Sequence, residues 1–238
     1  MVIDAREHDF KKLNELIRNA GENCTVENCL GQRFIGSGLD KITVSINGIP
    51  GNALGAYLNG GEIFVHGNAQ DAVGDTMNAG KIVIYGNAGD AVGYAMRGGE
   101  IYISGNAGYR AGIHMKAYRD KLPVMVIGQS CGSFLGEYQA GGIIIVLGLG
   151  CEGRAAGFFP GTGMHGGKIY LRGNYKDLKV PSQVNLTKAT PEDLQKIQNY
   201  VDEFCRLFGK NSAQIMSEEF YILSPNTKNP YHQMYVFN

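Results

Sequence analysis

The chain has 238 residues, 44% of them hydrophobic, and 22 Lys and Arg balance 22 Asp and Glu to a formal net charge of zero. That length supports one large domain or two small ones, and the neutral balance excludes a global electrostatic pull toward nucleic acid or anionic membrane. No window supplies the roughly 18 consecutive apolar residues of a membrane span, residues 1–7 lack an apolar signal core, and an odd number of cysteines favours free thiols in a reducing interior, so the cytoplasm is the expected location.

The first element in chain order is an amphipathic helix between residues 8 and 20. Phe10, Leu13, Leu16, Ile17 and Ala20 share one face, and Gly21 can close it. The middle of the chain is then organised by glycine. There are 35 glycines, about twice the usual share of roughly 7%. Gly48, Gly67, Gly86 and Gly105 each head a copy of one pattern, 19 residues apart, and Gly-Asn-Ala opens three of the four. Looser copies start at Gly128, Gly148 and Gly173. A short apolar strand precedes each copy, at 42–46, 62–66, 81–85, 100–104, 123–127, 142–147 and 168–172.

A phased period of this size means stacked repeats. Helical repeats need roughly 33 residues or more, and the leucine ladder of a leucine-rich repeat is absent. The expected architecture is therefore all-β: a parallel β-helix of about seven coils, flanked by N- and C-terminal α-helices. Ile63 and Val65 should stack on Ile82 and Ile84, then on Ile101 and Ile103, while alternation sends Phe64, Val83 and Tyr102 to the other face. That second face is also partly apolar, so something should cover it. Glycine suits the corners because they need φ > 0, and stacked Asn side chains can form a hydrogen-bonded ladder. Strands about 4.8 Å apart would make a rod of about 30 to 35 Å.

Two motifs inside the repeats imitate catalytic signatures. Gly128-Gln129-Ser130-Cys131-Gly132 fits the nucleophile elbow of α/β-hydrolases, with His165 and His232 downstream. Ser130, however, stands where Ala69, Ala88 and Ala107 stand in other copies, a corner position that any small residue fills. Gly148-Leu149-Gly150-Cys151-Glu152-Gly153 fits the dinucleotide fingerprint. The segment after it, through Gly157, Pro160 and Gly161, opposes the helix that the fingerprint requires. Gly161-Thr162-Gly163-Met164-His165-Gly166 fits the same pattern without a strand immediately before it. No His or Cys pair has metal-ligand spacing. Cys131 and Cys151 each fall three residues after a repeat glycine and could approach in space as buried thiols. The expectation is no catalytic, cofactor-binding or metal-binding residue in this chain. An independent thiol or serine hydrolase, using Ser130 or Cys131, is the rival. Any local feature beyond scaffolding is expected at Cys151 to Arg154, where the repeat loses its Asn.

Past the last copy, Thr190 caps a second helix with Pro191 in its first turn. Leu194, Ile197, Val201, Phe204 and Phe208 form its apolar stripe, and Gly209 ends it. Both helices are expected to cap or flank the solenoid, whose open edges would otherwise pair. The tail from Tyr221 to Asn238 reads as an extended wrap or a partner contact. The resulting division is 1–35 as N-terminal helix and lead-in, 36–175 as the coil stack, and 176–238 as C-terminal helix and tail.

The run from Gly51 to Gly108, with the later Gly161-Thr162-Gly163-Met164-His165-Gly166-Gly167-Lys168-Ile169-Tyr170-Leu171-Arg172-Gly173-Asn174, resembles the glycine-repeat (GXGXG) domain at the C-terminus of the large subunit of glutamate synthase. More distantly, it is similar to a domain of formylmethanofuran dehydrogenase. The resemblance covers roughly residues 25 to 175. It implies a right-handed parallel β-helix with a supporting, non-catalytic role beside a glutamine amidotransferase and an FMN and iron–sulfur synthase. Val2 stands where the amidotransferase would have cysteine, and no barrel sequence or clustered cysteine run is present. The resemblance thus implies a stand-alone form. Its expected partners are the FMN-dependent central subunit and the amidotransferase subunit, which would hold the FMN and the iron–sulfur cluster, and homo-oligomerisation is also open.

Overall fold

The computed structural model describes residues 1–21 and 23–226. Eight parallel strands form the stack. They are β2 (Cys24–Leu30), β3 (Thr43–Ile49), β4 (Asn59–His66), β5 (Ala79–Ile84), β6 (Glu100–Ile103), β7 (Val124–Ile127), β8 (Ala140–Val146) and β9 (Gly166–Arg172). The fold is a parallel β-helix with eight coils rather than seven. Residues 24–35, which the repeat pattern leaves in the lead-in, belong to the first coil.

Register follows the sequence period. Val44, Ile63, Ile82, Ile101, Met125, Ile144 and Ile169 are successive partners, as are Ile46, Val65, Ile84, Ile103, Ile127, Val146 and Leu171. Both columns are fully buried inside the solenoid. Like residues meet at every level, so a slip of one residue would turn the entire apolar set outward.

A third interior column runs along the next corner: Leu39, Leu58, Met77, Met96, Met115, Gln139 and Met164, linked coil to coil by backbone hydrogen bonds and all buried. Gln139 is its one polar member. Its amide nitrogen donates to the carbonyl oxygens of Gly141 and Gly142 at 3.2 Å each. Its amide oxygen has no hydrogen-bond partner among the described residues. An orphaned buried acceptor costs about 1–3 kcal/mol.

The two ends are closed differently. At the first coil, β1 (Val2–Asp4) pairs with β2. Helix α1 (Phe10–Asn19) is capped by Asp9, whose carboxylate accepts from the Lys12 N–H at 2.8 Å. Leu13 and Ile17 enter the solenoid core, and Asn14 accepts from the Gly36 N–H at 3.1 Å, which fixes α1 across the first coil. At the other end the parallel pattern stops. Strand β11 (Phe220–Pro225) pairs antiparallel with β9, and β10 (Val184–Lys188) pairs antiparallel with β11. The start of the expected wrap, 221–225, is therefore a sheet strand; its remainder, 227–238, lies outside the described residues.

The second helix is divided. Helix α2 (Pro191–Gln195) ends at Lys196, and α3 (Gln198–Phe208) begins after Ile197, whose φ of −110° and ψ of −4° break the helical run. A short α4 (Ser212–Met216) follows. Ile197, Val201 and Phe204 pack on Tyr102, Val126, Ile145 and Tyr170, the outward-facing residues of the sheet. This is the cover that the alternation of the strands requires. Helix α3 flanks the stack, and the C-terminal sheet edge is left to β10.

Polar contacts hold the α3 layer at its margin. Glu203 accepts from Arg206 at 2.7 and 2.9 Å and from Lys81 of β5 at 2.5 Å. The Arg206 hydrogen bonds, then those of Lys81, hold its carboxyl at about 2, below the ordinary 4.5. A depressed carboxyl contributes stability above its unfolded value and loses it as pH falls through the folded one. Stability should thus drop between pH 4.5 and 2, and Glu203→Gln should flatten this part of a urea midpoint-against-pH curve.

Candidate interaction surface

Coil corners are built from residues in left-handed conformation. One column comprises Phe34, Ala53, Ala72, Ala91, Arg110, Phe134 and Phe159, with φ between 54° and 63°. Side chains other than glycine adopt this region at a cost. Here each backbone N–H of the column, up to Phe134, donates to a carbonyl of the following coil, as from Ala72 to Asp90 at 2.8 Å and from Phe134 to Phe158 at 2.8 Å. The repetition offsets the strain. Side chains extend the ladder: Asn68 Oδ1 accepts from Asn87 N–H, Asn87 Oδ1 from Asn106 N–H, and Asn106 Oδ1 from Ser130 N–H, at 2.8 to 3.0 Å. Asp71 and Asp90 repeat the arrangement one step along.

This ladder accounts for the hydrolase-like motif and corrects its expected alignment: Ser130 follows Asn68, Asn87 and Asn106 in the ladder, and Cys131, not Ser130, lies level with Ala107. The Ser130 hydroxyl donates to Asn106 Oδ1 at 2.6 Å, not to a histidine. His165 Nδ1 lies 3.2 Å from the Gly163 carbonyl oxygen, and His232 is outside the described residues. Gly128 is required by packing, because a Cβ there would lie 2.8 Å from Phe204 Cζ. The dinucleotide-like stretch has no helix after it; Gly148, Gly150 and Gly153 are left-handed turn residues.

Cys131 is buried between Ala107 and Ala156 in adjacent coils, and burial pushes its thiol up to about 12. The level above Cys131 is thus occupied by Ala156, and Cys151 sits in the longer loop beside it, partly exposed. The thiolate is the reactive form. A thiol reagent should therefore modify Cys151 in the native protein and reach Cys131 only on unfolding, a contrast that peptide mapping after brief labelling would read.

Most of the large exposed hydrophobic side chains are aromatic. Along the left-handed corners of the last coils, Phe134 and Phe159 stack with ring centroids 5.5 Å apart, and the Arg110 guanidinium lies 5.1 Å from the Phe134 centroid. Beside them His114 stacks on Tyr138 at 5.1 Å, and Tyr94 meets His114 edge-on at 5.9 Å. Phe158 is 77% exposed and Phe159 61%. Beside them opens a cleft of about 510 Å³, lined by Arg154, Phe158, Phe159, Pro160, Leu178 and Lys179 among others. The irregular corner singled out in the sequence leads into this cleft through Arg154. The repeat pattern does not single out the aromatic seam itself, although Arg110, Phe134 and Phe159 occupy equivalent positions in it. Among the described residues no group of three or more His, Cys, Asp or Glu is placed to hold a metal, and no helix is long and apolar enough to cross a membrane.

A stack of parallel coils with glycine and left-handed corners, polar ladders along them and an exposed aromatic seam defines a glycine-repeat β-helical protein. The chain belongs to the GXGXG motif family, whose match spans residues 6–228 and so includes α1, the C-terminal helices and β11. It is 44% identical over 252 aligned positions to the uncharacterized protein MJ1350 of Methanocaldococcus jannaschii, covering 99% of this chain and 96% of that one. Its fold is shared with a chain in the crystal structure of the formyltransferase/hydrolase complex FhcABCD from Methylorubrum extorquens with methylofuran. The TM-score is 0.68 and the identity 23%, over 86% of this chain and 73% of that one.

Proposed function

We propose that this chain is a structural, non-catalytic subunit of a glutamate synthase-type complex. It holds a glutamine amidotransferase and an FMN-dependent synthase in register, so that ammonia released at one site reaches the other. FMN and iron–sulfur belong to the partners in this reading. The observation that supports it is the use of the corner side chains: the ladder engages Asn68, Asn87, Asn106 and Ser130 in holding coils together, leaving aromatic area as the main feature offered to a partner. Aromatic residues are enriched at protein interfaces. Affinity purification from the native host should recover a flavoprotein and an amidotransferase together. Recovery of neither would count decisively against the proposal.

A second reading is a subunit of a formyl-transfer complex related to formylmethanofuran dehydrogenase, favoured by the fold shared with the Methylorubrum chain. The same purification separates the two, since formyltransferase or hydrolase subunits in place of the flavoprotein would support the second and exclude the first.

A further inference from the structure

We propose that the hairpin at residues 117–122 is the docking site for an acidic segment of a partner subunit. The step from Gly105 to Gly128 is 23 residues, where each of the three steps before it is 19. The added residues form a finger on the rod. Tyr118 and Lys121 pair across a two-residue turn, each N–H donating to the other's carbonyl oxygen, at 3.1 and 3.0 Å. Both ends of the finger are tied to the stack. Ala117 keeps its rung beside Gly141 of the next coil, where a Cβ would lie 2.5 Å from the Ala117 nitrogen. Lys121 returns over Gly98 of the previous coil, where a Cβ would lie 2.9 Å from its own. Arg97 is thus at the foot of the finger. Lys116 stands in line with it one coil on, since the N–H of Arg97 donates to Met77 and that of Lys116 to Met96.

Charge selects the occupant. Arg97, Lys116, Arg119 and Lys121 are all exposed. None of them has an ion-pair partner among the described residues, whereas Lys81, Arg110 and Lys168 each hold a carboxylate within 3.1 Å. Asp120 is the only acid in the hairpin. Glu62 and Glu100 share a cleft with Lys121, and Glu100 already accepts from the Tyr102 hydroxyl. In a chain of zero net charge this is a local positive excess, which carboxylates of a partner would complement. Apolar area lies among the cations: Tyr118 is 45% and Leu122 43% exposed, and the Arg119 guanidinium lies 5.2 Å from the Tyr118 centroid. Aromatic residues and arginine are enriched at protein interfaces. Nucleic acid binding sums many phosphate contacts along a stripe, and Asp120 at the turn would oppose it. The inference rests on the chain being a subunit, but not on which complex it serves.

Two measurements on the complex purified from the native host test this. A water-soluble carbodiimide joins a lysine amine to a carboxylate as an amide and takes up the water as its urea. Peptide mapping of the treated native complex should find Lys116 or Lys121 joined to an Asp or Glu of a partner subunit. In the second, the variant Lys116→Glu, Lys121→Glu and Arg119→Glu should retain about tenfold less of that subunit at physiological salt. The variant Lys11→Glu, Lys41→Glu and Lys210→Glu makes the same change in net charge at exposed lysines elsewhere and should retain it in full. No link from Lys116 or Lys121 to a partner carboxylate in a complex that keeps its subunits would overturn the proposal. Equal retention by the native and reversed hairpins would do so too, as would equal loss in the control or release of nucleic acid in place of a protein. A native chain that recovers no partner at all would overturn the subunit reading with it, which separates the two failures.

Discussion

Gly80→Ala should lower stability by about 4 kcal/mol or more, while Gly38→Ala should cost about 1 kcal/mol. Both glycines have positive φ, +94° and +70°. They differ in what surrounds them. Strand β5 meets β4 at a bulge, where the pairing shifts between Asn59 and Glu62. Gly80 sits there with its α-carbon pressed against the previous coil, and an added Cβ would overlap the Gly61 carbonyl oxygen. Neither partner is a flexible side chain that can turn aside; both are backbone in adjacent rungs, and separating them would break the ladder on either side. At Gly38 a Cβ meets nothing within 4 Å. The equivalent positions of later coils carry Tyr57, Thr76, Ala95, His114 and Tyr138 in the same left-handed conformation. Urea unfolding of the two variants, followed by far-ultraviolet circular dichroism, checks the contrast. Equal losses would mean that backbone conformation alone, and not the closeness of the coils, decides which glycines matter.

That contrast also marks what a periodic sequence can reveal. Strands β3 to β9 are legible because the same residue types recur at the same phase, and each recurrence is a contact. Strand β2 escapes the pattern because its coil keeps the glycine at Gly36 but carries Cys29 where the next coil has its head glycine, Gly48. The antiparallel strands β10 and β11 are set by pairing across the end of the stack, which no period encodes. The break at Ile197 is hidden because the apolar stripe from Leu194 to Phe208 continues through it, so a helix-length pattern reads as one helix. The segment 177–179 comes from the chain's turn toward β10, and only folding brings it into one cleft with Phe158 and Phe159. The corner at Arg154, by contrast, is legible as a place where the repeat fails.

Phe204→Ala should cost about 3–5 kcal/mol, and the loss should fall unevenly across the molecule. The ring is fully buried, packs on Phe208 with centroids 4.7 Å apart, and sits over Gly128, where a Cβ would touch its Cζ. Gly128 has no side chain to fill that space, and Tyr102 is held by its hydroxyl bond to Glu100 at 2.8 Å. A cavity would therefore persist. The protein has two apolar layers: the solenoid interior, and the sheet's outer face beneath α3. Phe204 belongs to the second alone. Amide hydrogen exchange in the variant should accelerate in α2, α3 and α4 while β3 to β5, stacked upon one another through the interior columns, keep their protection. Uniform acceleration would show instead that flank and solenoid unfold as one unit, and that the helices stabilise every coil rather than those they cover.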